Sequence, residues 1–187
     1  MKKLSLLLVL LFVTGIYVFA QKNQVKINES QVKWTGTKIG GSHKGEIKIE
    51  HGFLSLKSDQ IVGGEIVMDM NSITVTDIED QGYNQKLVGH LKSDDFFGVE
   101  KYSNSKFVIS KATKFTNGKA KVTGQLTIKG KTESLSFDVF KGGNSYTAQI
   151  KVDRSKFDVR YGSNSFFDNL GDKAIGDIFT LDISLII

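Results

Sequence analysis

The sequence predicts an all-β protein made of antiparallel strands, with one short helical insertion. Along most of the 187 residues, apolar and polar side chains alternate, which is the pattern of half-buried strands. Short turn signals rich in Gly and Asn separate these stretches. The segment around Tyr83, Leu87 and Leu91 differs, because its apolar residues are spaced four apart, as on one face of a helix.

The first twenty residues have the pattern of a secretory signal peptide. Lys2 and Lys3 precede a continuous apolar run over 6–13, and Val18-Phe19-Ala20 offers a cleavage site. The alternative is a retained membrane anchor, but this run is shorter than the ~20 residues that span a bilayer. We therefore expect a signal peptide over 1–20, a single domain over 21–187, and a periplasmic or secreted location.

Alternation and turn residues predict eight or nine strands in chain order. The candidates cover 25–36, 43–50, 52–58, 65–70, 106–115, 122–129, 134–139, 146–153 and 179–187. Asn117-Gly118 and Gly130 are expected to form two-residue hairpin turns, because both tolerate a positive φ. The helix is placed near 83–92. Residues 71–81 are predicted as a loop or a short helical turn, and 155–176 as an ordered loop before the last strand.

Strands with one apolar and one polar face can close as a sandwich or as a barrel. An eight-stranded barrel either fills with side chains or holds one slender ligand. A ligand in such an interior would have to be apolar, since a polar one would lose water without gaining partners. Periodicity leaves a filled core and a ligand cavity equally open. The side chains expected to face inward are Trp34, Met68, Met70, Phe107, Leu126, Phe137, Ile150 and Leu181.

Composition and motifs argue against several functional classes. The chain has no Cys, which removes disulfides, thiolate metal sites and a Cys nucleophile. Loss of Lys2 and Lys3 with the signal peptide would lower the formal net charge from +5 to +3, which gives little support to nucleic-acid binding. Histidines at 43, 51 and 90 lack metal-binding spacing, and no G-x-S-x-G motif is present. We therefore expect no metal, no cofactor, no nucleic-acid partner and no catalytic residues.

Several segments resemble the YceI-like family of secreted or periplasmic lipid- and polyisoprenoid-binding proteins. The run 90–97 (His-Leu-Lys-Ser-Asp-Asp-Phe-Phe), followed by Lys101-Tyr102 and Phe107, is similar to the family signature. Segments 124–132 and 154–162 are similar to its central hairpin and to the loop before its last strand. The resemblance extends over 25–187, with Ser103 where the family usually has Pro. It implies an eight-stranded antiparallel lipocalin-like barrel with a short helical insertion.

The resemblance also implies a function, which is to bind or carry a long-chain apolar lipid without catalysis. A polyisoprenoid, a quinone tail or an acyl amide would fit, and transient membrane contact and a homodimer are further expectations. Leu87, Leu91, Phe96 and Phe97 would close one end of the barrel. The expected ligand-binding residues are Trp34, Met68, Met70, Leu87, Leu91, Phe96, Phe107, Leu126, Phe137 and Leu181.

Three polar residues, His43, His90 and Arg160, are candidates to contact a ligand headgroup. The competing interpretation of His90 is a structural histidine, and that of Arg154 and Arg160 is pairing with nearby aspartates. The alternative to a lipid carrier is a barrel with a filled core that acts as a secreted interaction or stress-response module. In that case an interface is expected among Phe166, Phe167 and Leu170.

Overall fold

The computed structural model describes residues 19–187, which form one antiparallel ten-stranded sheet and one α-helix, α1 (Gln81–Lys92). The strands are β1 (Gln21–Gln24), β2 (Gln31–Lys38), β3 (Gly41–Glu46), β4 (Lys48–Lys57), β5 (Gln60–Asp69), β6 (Asn104–Ala112), β7 (Lys119–Ile128), β8 (Lys131–Gly142), β9 (Ser145–Asp153) and β10 (Ile175–Ile186). Short 3₁₀ turns lie at Met70–Ser72, Arg154–Phe157 and Gly171–Lys173. The signal peptide expected over 1–20 lies, except for its last two residues, outside the described residues. Within 19–187, no helix combines the length and apolar character needed to cross a membrane.

The all-β prediction with one helical insertion is confirmed, but the expected count of eight strands is wrong. The predicted strand 25–36 is interrupted, because the Lys26 carbonyl accepts hydrogen bonds from the Glu29 N–H (3.1 Å) and the Ser30 hydroxyl (2.8 Å). β2 therefore begins only at Gln31, and β1, which precedes the predicted range, is an additional strand that pairs with β4. A second division falls at Ile47, between β3 and β4.

The division at Ile47 marks a change of strand partner. Before it, β3 pairs with β2, and the Ile47 N–H donates to the Val32 carbonyl at 3.1 Å. After it, β4 pairs with β5, beginning at Lys48 opposite Asp69. The strand order is β1-β4-β5-β6-β7-β8-β9-β10-β2-β3, so β3 and β4 lie near opposite ends of it. Because a single residue joins them, the sheet must curl round an interior as a barrel-like shell.

The loop after β5 lies against β3 and requires a glycine there. The Thr74 N–H donates to the Glu46 carbonyl (3.0 Å), and the Thr76 N–H donates to the Lys44 carbonyl (2.9 Å). A Cβ at Gly45 would lie 1.8 Å from the Thr74 carbonyl oxygen. Any side chain at this position would therefore push the loop away from the sheet.

Helix α1 begins two residues before the predicted start of 83–92. Its N-cap is Asp80, whose carboxylate accepts the Tyr83 N–H at 2.8 Å and so satisfies one of the free donors of the first turn. At its other end, the Ser93 N–H donates to the carbonyls of Gly89 and His90. Leu91 is the buried residue of the helix, which places α1 as a cover over one end of the shell.

Both predicted two-residue hairpin turns are confirmed. Asn117 and Gly118 have φ values of 51° and 75°, and Lys129 and Gly130 have 49° and 73°. Two consecutive positive φ angles are the signature of a type I′ turn, whose twist matches that of the flanking strands. These turns fix the register from β6 to β8.

Arg154 organises the predicted loop 155–176. The side chain is 2% exposed, and its guanidinium donates to the carbonyls of Val159 (2.8 Å), Tyr161 (2.9 Å), Ile175 (3.0 Å) and Gly176 (3.0 Å). Its Nη2 also lies 3.4 Å from an Asp177 carboxylate oxygen. Burial lowers the pKa of Arg154, and the charges of Asp177 and Asp153 oppose this shift. Arg154 therefore anchors the loop, and its donors are occupied by the protein itself.

Candidate ligand cavity

The apolar interior is divided into two clusters at opposite ends of the shell. The helix-side cluster consists of Trp34, Ile73, Val75, Leu91, Phe96, Leu126, Ile128, Ile150, Val152, Phe157 and Val159. The far cluster consists of Val25, Val32, Ile47, Ile49, Leu54, Ile61, Ile66, Met70, Val99, Val122, Val139, Tyr146 and Leu185. Residues of both clusters are buried.

Between the clusters lies a ring of side chains that touch both and yet are only half-buried. They are Phe97, Phe107, Phe137, Ala148, Leu181 and Ile183. Five of them lie on strands, where residues alternate between the two faces of a sheet, so these five point inward with the buried side chains around them, and Phe97 lies in the segment after α1. An inward apolar side chain that retains exposure borders empty space. The ring therefore surrounds a hollow rather than a filled core.

That hollow is an apolar cavity of about 390 Å³, within the ~300–1,000 Å³ range of small-molecule sites. For scale, an engineered apolar cavity of ~150 Å³ stays dry and binds benzene. The rings of Phe107 and Phe137, with centroids 5.2 Å apart, form part of its wall. The cavity reaches solvent near the turn between β2 and β3, where the exposed Thr37 and Lys38 border it.

All of the apolar residues predicted to bind ligand border this one cavity, although their contact with a ligand stays a prediction. They are Trp34, Met68, Met70, Leu87, Leu91, Phe96, Phe107, Leu126, Phe137 and Leu181. Alternation on the strands brings most of them to the inner face, and α1 contributes Leu87 and Leu91. Trp34 has its indole N–H satisfied by the Thr74 carbonyl at 3.0 Å, which fixes the ring in the wall.

His43, the first of the headgroup candidates, lies at the solvent side of the cavity. Its Nδ1 is 3.0 Å from the Asp77 carboxylate, which also accepts the Lys44 N–H at 3.0 Å. Burial by itself would raise the pKa of Asp77, but these two hydrogen bonds outweigh it and hold the pKa below its ordinary value. The imidazole is thus oriented by a carboxylate while its ring borders the cavity.

His90 also borders the cavity, from the inner side of α1. Its ring lies edge-on to Tyr161, with centroids 4.3 Å apart, and to Phe96 at 5.6 Å. Among the described residues, its buried Nε2 has no hydrogen-bond partner. Buried polar atoms are rarely left without a partner, so the unpaired Nε2 sets His90 apart from the other polar groups of the wall.

Arg160, the third candidate, lies outside the cavity. Its side chain is 58% exposed, its Nε donates to Asp158 at 2.6 Å, and its guanidinium lies 5.0 Å from the centre of the Phe166 ring. The hydrogen bond from Arg160 lowers the pKa of Asp158. Arg160 thus orders the loop surface, as its competing interpretation expected, and the structure does not bring it together with the histidines.

Sequence reasoning missed part of the cavity wall. Phe179 and Ile183 flank Leu181 on the inner face of β10, and the same alternation that predicted Leu181 would have found them. Ile73 and Ile175 also border the cavity, but both lie where the sequence predicted a loop. No periodic signal marks a loop residue as inward, so the fold had to be known first.

Comparison with known proteins gives the family. The model of the YceI-like domain matches residues 23–187. This chain belongs to the YceI-like family. Curated relatives include UPF0312 proteins of Staphylococcus aureus strain USA300, 40% identical over 89 residues, and of Vibrio parahaemolyticus, 32% identical over 90 residues. These matches cover 42% of this chain in both cases, and 49% and 48% of the relatives, so they span about half the length of each relative.

Solved structures of low sequence identity share the fold of this YceI-like chain. BcnA of Burkholderia cenocepacia superimposes with a TM-score of 0.68 at 23% identity, covering 87% of this chain and 99% of BcnA. A polyisoprenoid-binding domain from Saccharophagus degradans gives a TM-score of 0.60 at 12% identity, covering 90% and 97% of the two chains. These likenesses establish a common architecture.

Proposed function

We propose that this protein binds and carries a long-chain apolar lipid in the cavity and catalyses no reaction. The observation that carries the proposal is the ring of half-buried inward side chains around a hollow of about 390 Å³. Membership of the YceI-like family and the fold shared with a polyisoprenoid-binding domain support it. A polyisoprenoid, a quinone tail or an acyl amide fits the apolar wall.

The chemistry of the wall favours a hydrocarbon tail over a polar ligand. Each CH₂ moved from water into such a wall gains about 0.8 kcal/mol. A bilayer offers a tail nearly the same environment, so the net preference for the protein over a membrane is small. Uptake and release are then both accessible, which suits a carrier. Met68 in the wall helps to accommodate irregular tails, because thioether side chains adapt their shape.

We propose a periplasmic or secreted carrier that contacts membranes transiently, with His43 and His90 as the polar groups nearest to a bound headgroup. Both imidazoles border an otherwise apolar space, so a terminal hydroxyl or carbonyl would find its partners there. The headgroup would lie toward the solvent side of the cavity, where His43 and the exposed Thr37 and Lys38 are found.

The direct test is extraction of the protein purified natively from a bacterial envelope, followed by mass spectrometry. One lipid per protein is the expected result, and protein that is lipid-free after native purification and refuses added lipid would contradict the proposal. The single Trp34 gives a second measurement, because it lies in the wall and can transfer energy to bound cis-parinaric acid. The control is Trp34→Phe, which removes the donor.

A second candidate function is a secreted interaction module that forms a homodimer in solution, which the exposed aromatic residues of the loop before β10 favour. Phe166 and Phe167 are 39% and 49% exposed, whereas Leu170 is partly buried. Light scattering separates the two hypotheses: a tight complex that Phe166→Ser and Phe167→Ser dissolve, in protein without lipid, would favour the interaction module.

A further inference from the structure

The hairpin formed by β8 and β9 is paired only next to its turn. Cross-strand partners are Gly142 with Ser145, Lys141 with Tyr146, and Phe140 with Thr147, and the ladder then stops. Continuing the same register would pair 139 with 148 and so on to 134 with 153. Within the described chain, none of those positions pair across the hairpin, although both strands are paired with β7 and β10 on their other sides.

We call this gap the open seam, formed by 134–139 of β8 and 148–153 of β9. At about 3.4 Å per residue, it extends for about 20 Å along the wall of the shell. The 3₁₀ turn at Arg154–Phe157 follows directly after Asp153, at the end of the seam that is farther from the hairpin turn. Its Phe157 is buried in the helix-side cluster. The seam is thus a bounded slot between a hairpin turn and a packed turn.

The two faces of the open seam differ sharply in polarity. The inward side chains are apolar and border the cavity: Leu135, Phe137, Val139, Ala148, Ile150 and Val152. The outward ones are polar: Ser134, Ser136, Asp138, Gln149, Lys151 and Asp153. Thr147, at the last paired position, is exposed and also borders the cavity, so the empty space reaches the outer surface where the pairing ends.

Parting the sheet here breaks no strand hydrogen bonds, which distinguishes the open seam from the fully paired β7–β8 boundary, where Lys119 to Ile128 all have partners. Elsewhere in the wall, opening a gap would leave backbone donors and acceptors unsatisfied. At the open seam, only apolar contacts among the inward side chains oppose separation of the two strands. Leu135, Phe137 and Ala148 are already only half-buried.

We propose that the open seam is the lateral entrance of the cavity, through which the hydrocarbon tail of an amphiphilic lipid enters and leaves. This inference rests on the proposed function, since it concerns the path of the ligand to the same cavity. The tail passes between Phe137 and Ile150, which part by side-chain motion. The polar side chains on the outer rim of the seam can hydrogen-bond the headgroup while the tail enters.

The test uses the absence of native cysteines to link the seam shut. Ser136→Cys with Lys151→Cys, joined by a bis-maleimide, ties β8 to β9 across the open seam. Ser136→Cys with Thr123→Cys is the matched control, because the Ser136 and Thr123 hydroxyls are 2.7 Å apart across the paired β7–β8 boundary. The readout is the rate and final amplitude of energy transfer from Trp34 to added cis-parinaric acid.

Linking the seam is expected to slow loading at least about tenfold, which corresponds to a rise of about 1.4 kcal/mol in the activation barrier. The control link should leave the loading rate nearly unchanged. Equal rates with and without the seam link, or equal slowing by both links, would overturn the lateral entrance while leaving lipid binding intact. Failure of the unlinked protein to take up any probe would overturn the proposed function, and this inference with it.

A second measurement needs no lipid. Ala148→Cys lies at the inner edge of the open seam, and Ala120→Cys lies in the paired wall, where Ala120 is 2% exposed. A charged thiol reagent should modify the first at least about tenfold faster than the second, because the open seam admits it without breaking strand pairs, whereas Ala120 lies behind paired strands. Equal modification rates would contradict the openness on which the entrance depends.

Discussion

Replacing Ala148 by Leu distinguishes a hollow shell from a filled one by the sign of the stability change. Ala148 faces inward, belongs to the ring between the two clusters and borders the cavity of about 390 Å³. Leu adds three carbon groups, each worth about 0.8 kcal/mol when buried. Because part of the added surface faces the cavity, we expect a gain of about 1–2 kcal/mol in the free energy of unfolding of the lipid-free protein.

The same substitution at Ala120 is the matched control. Ala120 is 2% exposed and lies opposite Val139 in the paired wall, so added methyl groups meet packed neighbours. Overpacking of this kind costs about 1–3 kcal/mol. The two variants should therefore change stability in opposite directions, although they carry the same chemical change on neighbouring parts of one sheet.

The assay is guanidinium unfolding of delipidated protein, with far-UV circular dichroism as the signal and an unchanged m-value as the check that the transition remains two-state. Ala148→Leu should also weaken cis-parinaric acid binding at least about tenfold, since it occupies the space that the tail needs. If Ala148→Leu destabilises as much as Ala120→Leu and binding is unaffected, the space beside Ala148 is not a ligand cavity.

Three further predictions concern the parts of the chain that hold the cavity in shape. Gly45→Ala should destabilise by about 3 kcal/mol or more in urea unfolding, because the new Cβ would meet the Thr74 carbonyl oxygen 1.8 Å away. The control Gly89→Ala, in α1 with open space around it, should instead stabilise by up to about 1 kcal/mol. Arg154→Met should cost about 3–5 kcal/mol and increase protease cleavage within 158–176, because it removes the hydrogen bonds to four carbonyls and leaves Asp177 without its cation. Although burial tends to raise the pKa of Asp177, hydrogen bonds from Ser163 and Ser165 and the charge of Arg154 hold the pKa below its ordinary value, so its stabilising effect is complete well above that ordinary value and is lost as the pH falls toward the lowered pKa. The free energy of unfolding should therefore fall as pH drops from about 5 to 2, and Asp177→Asn should make that fall shallower.

Alternation predicted the later strands well because each of them has one face toward the interior. From β5 to β10, the predicted ranges fall within the observed strands or overlap them closely, and Leu126, Phe137 and Leu181 lie on the inner face as expected. The same reasoning failed at Ile47, because alternation describes which way side chains point and carries no information about the partner strand. Nothing in the residues on either side of Ile47 records that β2 is exchanged there for β5.

The open seam escaped prediction for a related reason. Leu135 and Phe137 alternate with polar residues past the last paired position, because their inner face still borders the cavity whether or not a neighbouring strand is bonded to them. Likewise, Trp34 and Phe107 were expected to face inward, but the sequence could not tell whether the space between them is occupied. Emptiness depends on the distance between opposite walls, which is set by the curl of the whole sheet.

A hollow of this size is itself an argument for a ligand. Enclosed cavities left in protein cores cost about 24 cal/mol per Å³, so 390 Å³ corresponds to at most a cost on the order of 9 kcal/mol relative to a packed interior, and the opening to solvent lowers it. That is comparable with the whole stability of a typical domain, about 5–15 kcal/mol. The chain offsets this cost with two packed clusters and long strand ladders, and a tail that fills the hollow recovers much of it.

Saturation with a lipid at 100 times its Kd should raise the free energy of unfolding by about 2.7 kcal/mol. A melting temperature that does not move at that concentration would mean that the folded chain does not bind the lipid in preference to the unfolded chain, which would contradict the proposed function.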